Sequence, residues 1–349
     1  MPLKSFKCPD SNEIECSKCI AENGCRMKSR CAARPVLKLM YNSQREWKGV
    51  ASTTQLIKGT MSSFLEIKHD YTVSPDKMAF MIHGSGTHKM LEEQGDDTSK
   101  AELDYSDARG SVRPDLIETE GGKNVLIDYK ICGSFQVAKA LGYYFEDVPV
   151  VDPITEQPIL YKTGAKKGKV KTRKEKRQDP KLADLRDWAL QLNNYRIGIE
   201  RGEILQSPDG KFHPKALAPK GSVKIKIHAI RVQALVRDGG TIIAISRGVD
   251  RNIYLIDVPK VPDQDIKDYF KRKKDDLAQA LKQGYWSTPC NDLERWNDRK
   301  CTEFCNVNRF CPYWIDKYSK NVDQDSVADA DMGQLNADGT PKSDEESEN

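Results

Sequence analysis

What this chain lacks narrows it first. Its 349 residues contain no apolar run long enough to cross a bilayer, and the start, Met1-Pro2-Leu3-Lys4, has no apolar stretch of the kind that directs secretion. A cytoplasmic chain with no membrane partner is therefore expected. No Gly-rich loop closed by Lys and Ser or Thr is present, which excludes a nucleotide-driven motor from this chain, and there are no internal repeats. Net charge is small as well, +4 at neutral pH.

That small charge hides an asymmetry. Residues 320–349 hold nine acids and two lysines, a balance of −7, so the rest of the chain carries +11 within the total of +4. The tail from Asn321 to Asn349 is poor in apolar residues and rich in Asp, Glu, Ser and Asn, a composition that predicts disorder. Between Lys162 and Lys181, ten of twenty residues are basic and two acidic, without periodicity. This reads as a mobile loop. A basic run is ordinarily a solvated face, but beside a nucleic-acid site Lys166, Lys167, Lys169, Lys171, Arg173 and Lys174 would neutralise phosphates.

What is present centres on Arg113-Pro114-Asp115 and, thirteen residues after that acid, Asp128 in Val125-Leu126-Ile127-Asp128-Tyr129-Lys130. The second segment reads as a buried strand ending in polar groups. Side chains alternate along a strand, so Asp128 and Lys130 share a face. Asp115 comes alongside if the segments pair through the turn at Gly121-Gly122-Lys123-Asn124. Two carboxylates and an ammonium at a strand end suit divalent-metal hydrolysis of a phosphodiester. The plainer reading is an ion pair at a sheet rim. Other pieces lie where the same chemistry would want them. After the break at Gly84-Ser85-Gly86, a helix start near Met90 and Leu91 would put His88 in a first turn. A further helix is expected from Asp179-Pro180, burying Leu182, Leu185, Trp188, Leu192 and Tyr195, with Gln191 and Tyr195 four apart on one face. Further along, Val223 to Val236, Thr241 to Ser246 and Asn252 to Ile256 read as strands, with Asp238-Gly239-Gly240 as a hairpin turn, and Gln264 to Gln283 as an amphipathic helix. Trp47 to Ser63 carries no clear assignment.

Taken in order, Gly84-x-x-x-His88, Asp115, Asp128-x-Lys130 and Gln191-x-x-x-Tyr195 resemble the motif series of RecB-type nucleases in the PD-(D/E)XK superfamily. The resemblance spans His88 to Tyr195 in matching order. It implies an α/β fold with a restriction-endonuclease-like core, a mixed central sheet flanked by helices. It implies further that His88, Asp115, Asp128 and the carbonyl of Tyr129 hold Mg²⁺ or Mn²⁺, that Lys130 is the catalytic lysine, and that Gln191 and Tyr195 orient the lysine, the water or the DNA backbone. The activity implied is metal-dependent hydrolysis of DNA, exonucleolytic on single strands or duplex ends, in recombination, repair or phage DNA processing. The setting would be the cytoplasm of a bacterium or a phage-infected host cell, with a helicase or recombination partner and self-association both left open. The competing reading is a zinc-dependent nucleic-acid-binding or assembly protein without catalysis.

Ten cysteines, nine of them in two terminal clusters, point to intracellular metal sites and not to disulfides. Cys132 alone lies between. Two zinc sites, one per cluster, are one assignment. The resemblance suggests another, because several nucleases of the superfamily, AddB and the CRISPR-associated spacer-acquisition nucleases among them, carry a 4Fe–4S cluster on one early and three late cysteines. Cys31 with Cys301, Cys305 and Cys311 would then form that cluster, and Cys8, Cys16, Cys19 and Cys25 would hold Zn²⁺. The late trio has x3 spacing where the family has x2, so the exact set and the part of Cys290 stay open. The expected organisation is a cysteine module at 1–33, a nuclease core at 34–289 with its basic insert at 162–181, a cysteine cluster at 290–318 and an acidic tail at 319–349.

Overall fold

The computed structural model describes residues 3–44, 47, 49–94, 99–101, 105–107, 110–112, 114–201, 205–206, 212–213 and 225–319. Arg113, Val223 and the tail from Asn321 onward lie outside them.

The chain opens with strand β1 (Leu3–Lys7), antiparallel strand β2 (Glu13–Glu15) and the short helix α1 (Cys16–Ile20). Helix α2 (Arg34–Asn42) has proline in its first turn, where the missing N–H costs nothing. The stretch left unassigned from sequence holds two helices. Helix α3 (Thr53–Ile57) is started by a Ser52–Gln55 capping box, and α4 (Thr60–Lys68) follows it. Strand β3 (Tyr71–Val73) returns to pair in parallel with β1. Leu3, Phe6, Cys16 and Cys19 therefore share one apolar cluster with Leu37, Met40, Val73 and Met78.

Helix α5 (Pro75–Glu92) leads to strand β4 (Ser99–Ala101), the ribbon of β5 (Tyr105–Asp107) and β6 (Gly110–Val112), and the hairpin of β7 (Leu116–Glu120) and β8 (Lys123–Cys132). After α6 (Ser134–Ala140), β9 (Tyr143–Pro149) and β10 (Thr172–Gln178) make a separate antiparallel ribbon. Helix α7 (Arg186–Glu200) and the ribbon of β11 (Leu205–Gln206) and β12 (Phe212–His213) precede strand β13 (Ile227–Val236). Helix α8 (Ile242–Ser246), strand β14 (Ile253–Asp257) and helix α9 (Asp263–Gln283) complete the core. The central sheet runs β14-β13-β8-β7-β4, with β13 parallel to β8 and the other pairs antiparallel.

This is an α/β chain with helices packed on a mixed sheet. Strand β8 is its centre, and Val125, Leu126, Ile127 and Asp128 are all buried because both sheet faces are covered. Leu126 packs with Val137, Trp188, Leu192, Tyr195 and Val232, drawing α6 and α7 onto one face. Val125 and Ile127 form a smaller cluster with Leu116, Tyr129 and Ala229 on the other. Among the described residues, no helix is long and apolar enough to cross a membrane.

Local structure departs from the sequence expectations in four places. Gly84 and Gly86 do not break the chain: α5 runs straight through them, so His88 sits near its end and not in its first turn. Two glycines cost a helix roughly 1 kcal/mol each relative to alanine, which eighteen residues anchored by a proline start and the buried Met78 can absorb. Asp179-Pro180 opens only one 3-10 turn, Pro180–Leu182, with Leu182 58% exposed, and the packed helix begins at Arg186. The chain is held out of helix there because Asp184 N–H donates to the Lys139 carbonyl at 3.0 Å and the Asp184 carboxylate pairs with the Lys139 ammonium.

Thr241 to Ser246 is helix α8 and not a strand. The Thr241 hydroxyl accepts from Ala244 N–H at 3.2 Å, and this cap outweighs the β preference of the isoleucines. The basic insert is also ordered in part. Residues 172–178 pair with 149–143 one for one, and bridges Val151–Pro158 and Leu160–Val170 extend the ribbon outward as an arm. Alternation puts Arg173, Glu175 and Arg177 on one face, where they pair with one another and with Glu146.

The arm is closed at its base. Asp179 N–H donates to the Gly142 carbonyl at 3.0 Å, and Gly142 has φ +74 with no room for a side chain: a Cβ would lie 2.1 Å from the Asp179 carbonyl oxygen. Gly142→Ala combines left-handed strain with a backbone collision. It is expected to destabilise the fold by ~2 kcal/mol or more, read as a lower midpoint in urea unfolding. An unchanged midpoint would show that the base of the arm does not need this close approach.

Candidate active site

Four elements bring six side chains together. Strand β8 supplies Asp128 and Lys130 on the face that also carries Leu126, so they point toward α7. Hairpin pairing of β7 with β8 brings Asp115, just before β7, next to the end of the strand. Its Oδ2 accepts from the Tyr129 N–H at 2.8 Å. Helix α5 crosses with His88, whose Nδ1 lies 3.4 Å from Asp115 Oδ1 and whose Nε2 lies 3.1 Å from the Tyr129 carbonyl oxygen. Helix α7 carries Gln191 and Tyr195 one turn apart, and Gln191 Nε2 donates to the Tyr195 hydroxyl at 3.0 Å. The Lys130 ammonium donates to Gln191 Oε1 at 3.2 Å and contacts Asp128 Oδ2 directly. Gln191 Nε2 also reaches Asp128 Oδ1, at 3.5 Å.

Electrostatics follow from burial. Asp128 is 1% exposed, and desolvation pushes its carboxyl up to about 6 despite the adjacent lysine. Desolvation also acts against the Lys130 charge, but the Asp128 carboxylate outweighs it and holds the lysine above its ordinary value. The cost of the buried pair falls on the acid because the Lys130 side chain is the more exposed of the two, 25% against 2%. His88 is raised chiefly by its hydrogen bond to Asp115, against burial, with the Asp115 and Asp128 charges adding to the rise. Both of its ring nitrogens face acceptors, an arrangement that suits the imidazolium form.

The donor set fits a hard divalent ion. Three kinds of oxygen or imidazole donor converge: Asp115 and Asp128 carboxylates, the Tyr129 carbonyl and His88. Asp128 Oδ2 is buried against the Lys130 ammonium, so an ion held at this carboxylate would share it with the lysine. Among the described residues, no three His, Cys, Asp or Glu side chains are drawn tightly enough to make a formed coordination shell.

One set of residues around the site gave no signal in sequence. Asp238, just after β13, accepts from Ser134 N–H at 2.6 Å and from its hydroxyl at 2.7 Å, while Arg247 donates to the same hydroxyl at 3.0 Å. These contacts fix the start of α6 directly after β8. Asp238-Gly239-Gly240 looks like turn chemistry and nothing more until the fold places it beside Ser134. Arg237 stacks on Phe80 of α5, with its guanidinium 3.8 Å from the ring centre. The predicted phosphate contacts Lys166, Lys167, Lys169, Lys171, Arg173 and Lys174 are exposed along the arm, though Arg173 is already paired with Glu175 at 2.5 Å.

The cysteines group differently from the split the resemblance suggested. Cys8 and Cys19 each have Cys25 and Cys31 as electrostatic neighbours, and Cys16, fully buried, packs with Leu3, Phe6, Leu37 and Met40. Cys301 has Cys290, Cys305 and Cys311 around it. Cys132 is buried in the main core. No family model, curated protein or solved structure matches the chain.

Proposed function

We propose that the chain is a Mg²⁺- or Mn²⁺-dependent deoxyribonuclease with a PD-(D/E)XK-type centre. One observation carries the proposal: His88, Asp115, Asp128, Lys130, Gln191 and Tyr195, spread over 108 positions of sequence, are joined in a continuous set of contacts. The β7–β8 hairpin followed by α7 and the parallel strand β13 supports it, since this is what places two acids and a lysine at one strand end.

Asp115, Asp128, His88 and the Tyr129 carbonyl would hold the ion. When bound, the ion lowers the pKa of a coordinated water and offsets charge on the phosphate. The residues of the chain do the rest. Lys130, held protonated by Asp128, donates to the water or to the phosphate oxygen that gains charge and does not act as the base. Gln191 fixes that ammonium through its carbonyl end, and its amide end is held in turn by Tyr195. Hydrolysis adds the water oxygen to phosphorus as the P–O bond to the leaving sugar breaks, and that sugar oxygen takes up a proton. We assign substrate guidance to the arm, and DNA as single strands or duplex ends as the substrate.

The alternative reading, a nucleic-acid-binding protein without catalysis, draws on the direct Asp128–Lys130 contact, which is also what a plain ion pair looks like. End-labelled single- and double-stranded DNA with Mg²⁺ or Mn²⁺ separates them. Metal-dependent products are expected, and their ladder gives the polarity. Retention of DNA with no products in either metal would favour the binding protein.

The arm adds a salt-dependent prediction. Replacing Lys166, Lys167, Lys169 and Lys171 together with Gln should weaken DNA binding. It should also flatten the log–log salt dependence by up to about 3 units, at roughly 0.7 per lost contact on single strands. An unchanged slope in filter binding across salt would place the phosphate track elsewhere.

A further inference from the structure

The segment from Cys290 to Cys311 folds back on itself. Arg295 donates to the Cys290 carbonyl at 2.5 Å and pairs with Asp298 at 2.8 Å, while Cys301 N–H donates to the Asp298 carbonyl at 2.9 Å. Asn308 donates to the Cys301 carbonyl at 2.9 Å, and Cys311 N–H to the Asn308 carbonyl at 2.8 Å. Cys290, Cys305 and Cys311 all lie against the apolar cluster built on α4 and α9. The Cys290 and Cys305 sulfurs each take a backbone N–H, from Ser62 and Val307. Burial outweighs these contacts and holds both thiols above their ordinary value. Gly59, with φ +107, makes room: a Cβ there would lie 2.7 Å from Cys290 Sγ.

The early cysteines are gathered by a parallel device. Arg30 donates to the carbonyls of Cys19 and Ala21, at 2.6 Å each, and of Glu22 at 2.8 Å. This ties the turn after α1 to the residue beside Cys31. The bend that carries Cys8 is closed by Cys8 N–H donating to the Asn12 carbonyl at 2.7 Å. Cys16, packed among Leu3, Phe6, Leu37 and Met40, behaves as a small apolar residue.

We propose that the chain carries two separate four-thiolate sites, one of Cys8, Cys19, Cys25 and Cys31 and one of Cys290, Cys301, Cys305 and Cys311. Each takes a thiophilic centre coordinated by four thiolates, Zn²⁺ or a 4Fe–4S cluster. Cys290 is the fourth partner of the late trio, and Cys31 closes the early set. Cys16 takes no part. Each site is local and ties down one stretch of chain, so neither joins the two ends of the protein across the core. Among the described residues no three of these side chains lie close enough to hold an ion as they stand, so binding would have to draw the thiols together. The proposal does not rest on the nuclease reading, because metal content is read without cleavage.

The test is metal content and absorbance of the full chain, isolated from cells supplied with zinc and iron. Two centres per chain are expected, with iron and inorganic sulfide or zinc identifying each. Cys8→Ser should remove one centre. Adding Cys31→Ser to Cys8→Ser should remove nothing more, while adding Cys290→Ser should remove the second. Cys16→Ser should keep both. Loss of the remaining centre in the Cys8→Ser/Cys31→Ser protein would overturn the proposal, as would full metal content in Cys290→Ser or no metal in the native chain. Because serine variants can misfold, the unaltered protein is also titrated with a chelator and alkylated at each step. Cys31 should become reactive together with Cys25, and Cys290 together with Cys305. Release of Cys31 with Cys305 would overturn the proposal.

Discussion

Replacing Lys130 with Ala is expected to lower DNA cleavage by roughly 10²–10⁴-fold while leaving DNA binding within about twofold of the native protein. The ammonium is aimed by two partners, Asp128 on its own strand and Gln191 on α7. The variant leaves Asp128 without its cation. In metal-free protein that carboxyl should then titrate higher still, since burial already pushes it up to about 6. Single-turnover cleavage and equilibrium binding, measured on the same preparation, separate chemistry from affinity. Near-normal cleavage by Lys130→Ala would remove the catalytic assignment.

The second large effect is expected from Asp128→Asn, which keeps the side-chain volume and removes the charge. Cleavage should fall at least about 10³-fold, and the thermal response to Mn²⁺ should disappear. In the native protein, metal at one hundred times its dissociation constant should stabilise the fold by ~2.7 kcal/mol, because the ion binds the folded state alone. Differential scanning fluorimetry over a Mn²⁺ series reads this directly. A native-sized shift in the variant would mean that the ion sits elsewhere. The unbound site has its own pH dependence. His88 and Asp128 both have folded pKa values above their ordinary ones, so the stability they contribute is full below those ordinary values and is lost as pH rises through the raised ones. For Asp128, whose carboxyl is pushed up to about 6, most of that loss has occurred by neutral pH.

Much of the site could be read from sequence because its signals are local. Val125-Leu126-Ile127 announces a buried strand, the period of two puts Asp128 and Lys130 side by side, and a spacing of four puts Gln191 over Tyr195. The arrangement of the elements around these residues was less accessible. Two glycines in three residues suggest a helix break before His88, yet a helix with enough packing elsewhere tolerates them. Ile242-Ile243-Ala244-Ile245 has strand composition, and only the Thr241 cap and the burial of Ala244 alone make it a helix. The lysine-rich insert has no periodicity of its own, and its order comes from the partner strand Tyr143–Pro149. Partners among cysteines depend on long-range folding that spacing does not encode, so the places of Cys31 and Cys290 are not legible from sequence.

The closed base of the arm has a consequence for how such a chain can change over time. Residues 143–178 leave and return where Gly142 meets Asp179, and their inner ends rest on the core, Tyr143 against Gly248 and Lys176 donating to the Ile245 carbonyl at 3.1 Å. Loop closure penalises added length only logarithmically. The outer part of the segment can therefore be shortened, lengthened or exchanged for another with little effect on the residues of the candidate site. Under the proposed function, reach toward a substrate and the chemistry done on it would then be inherited as separable traits.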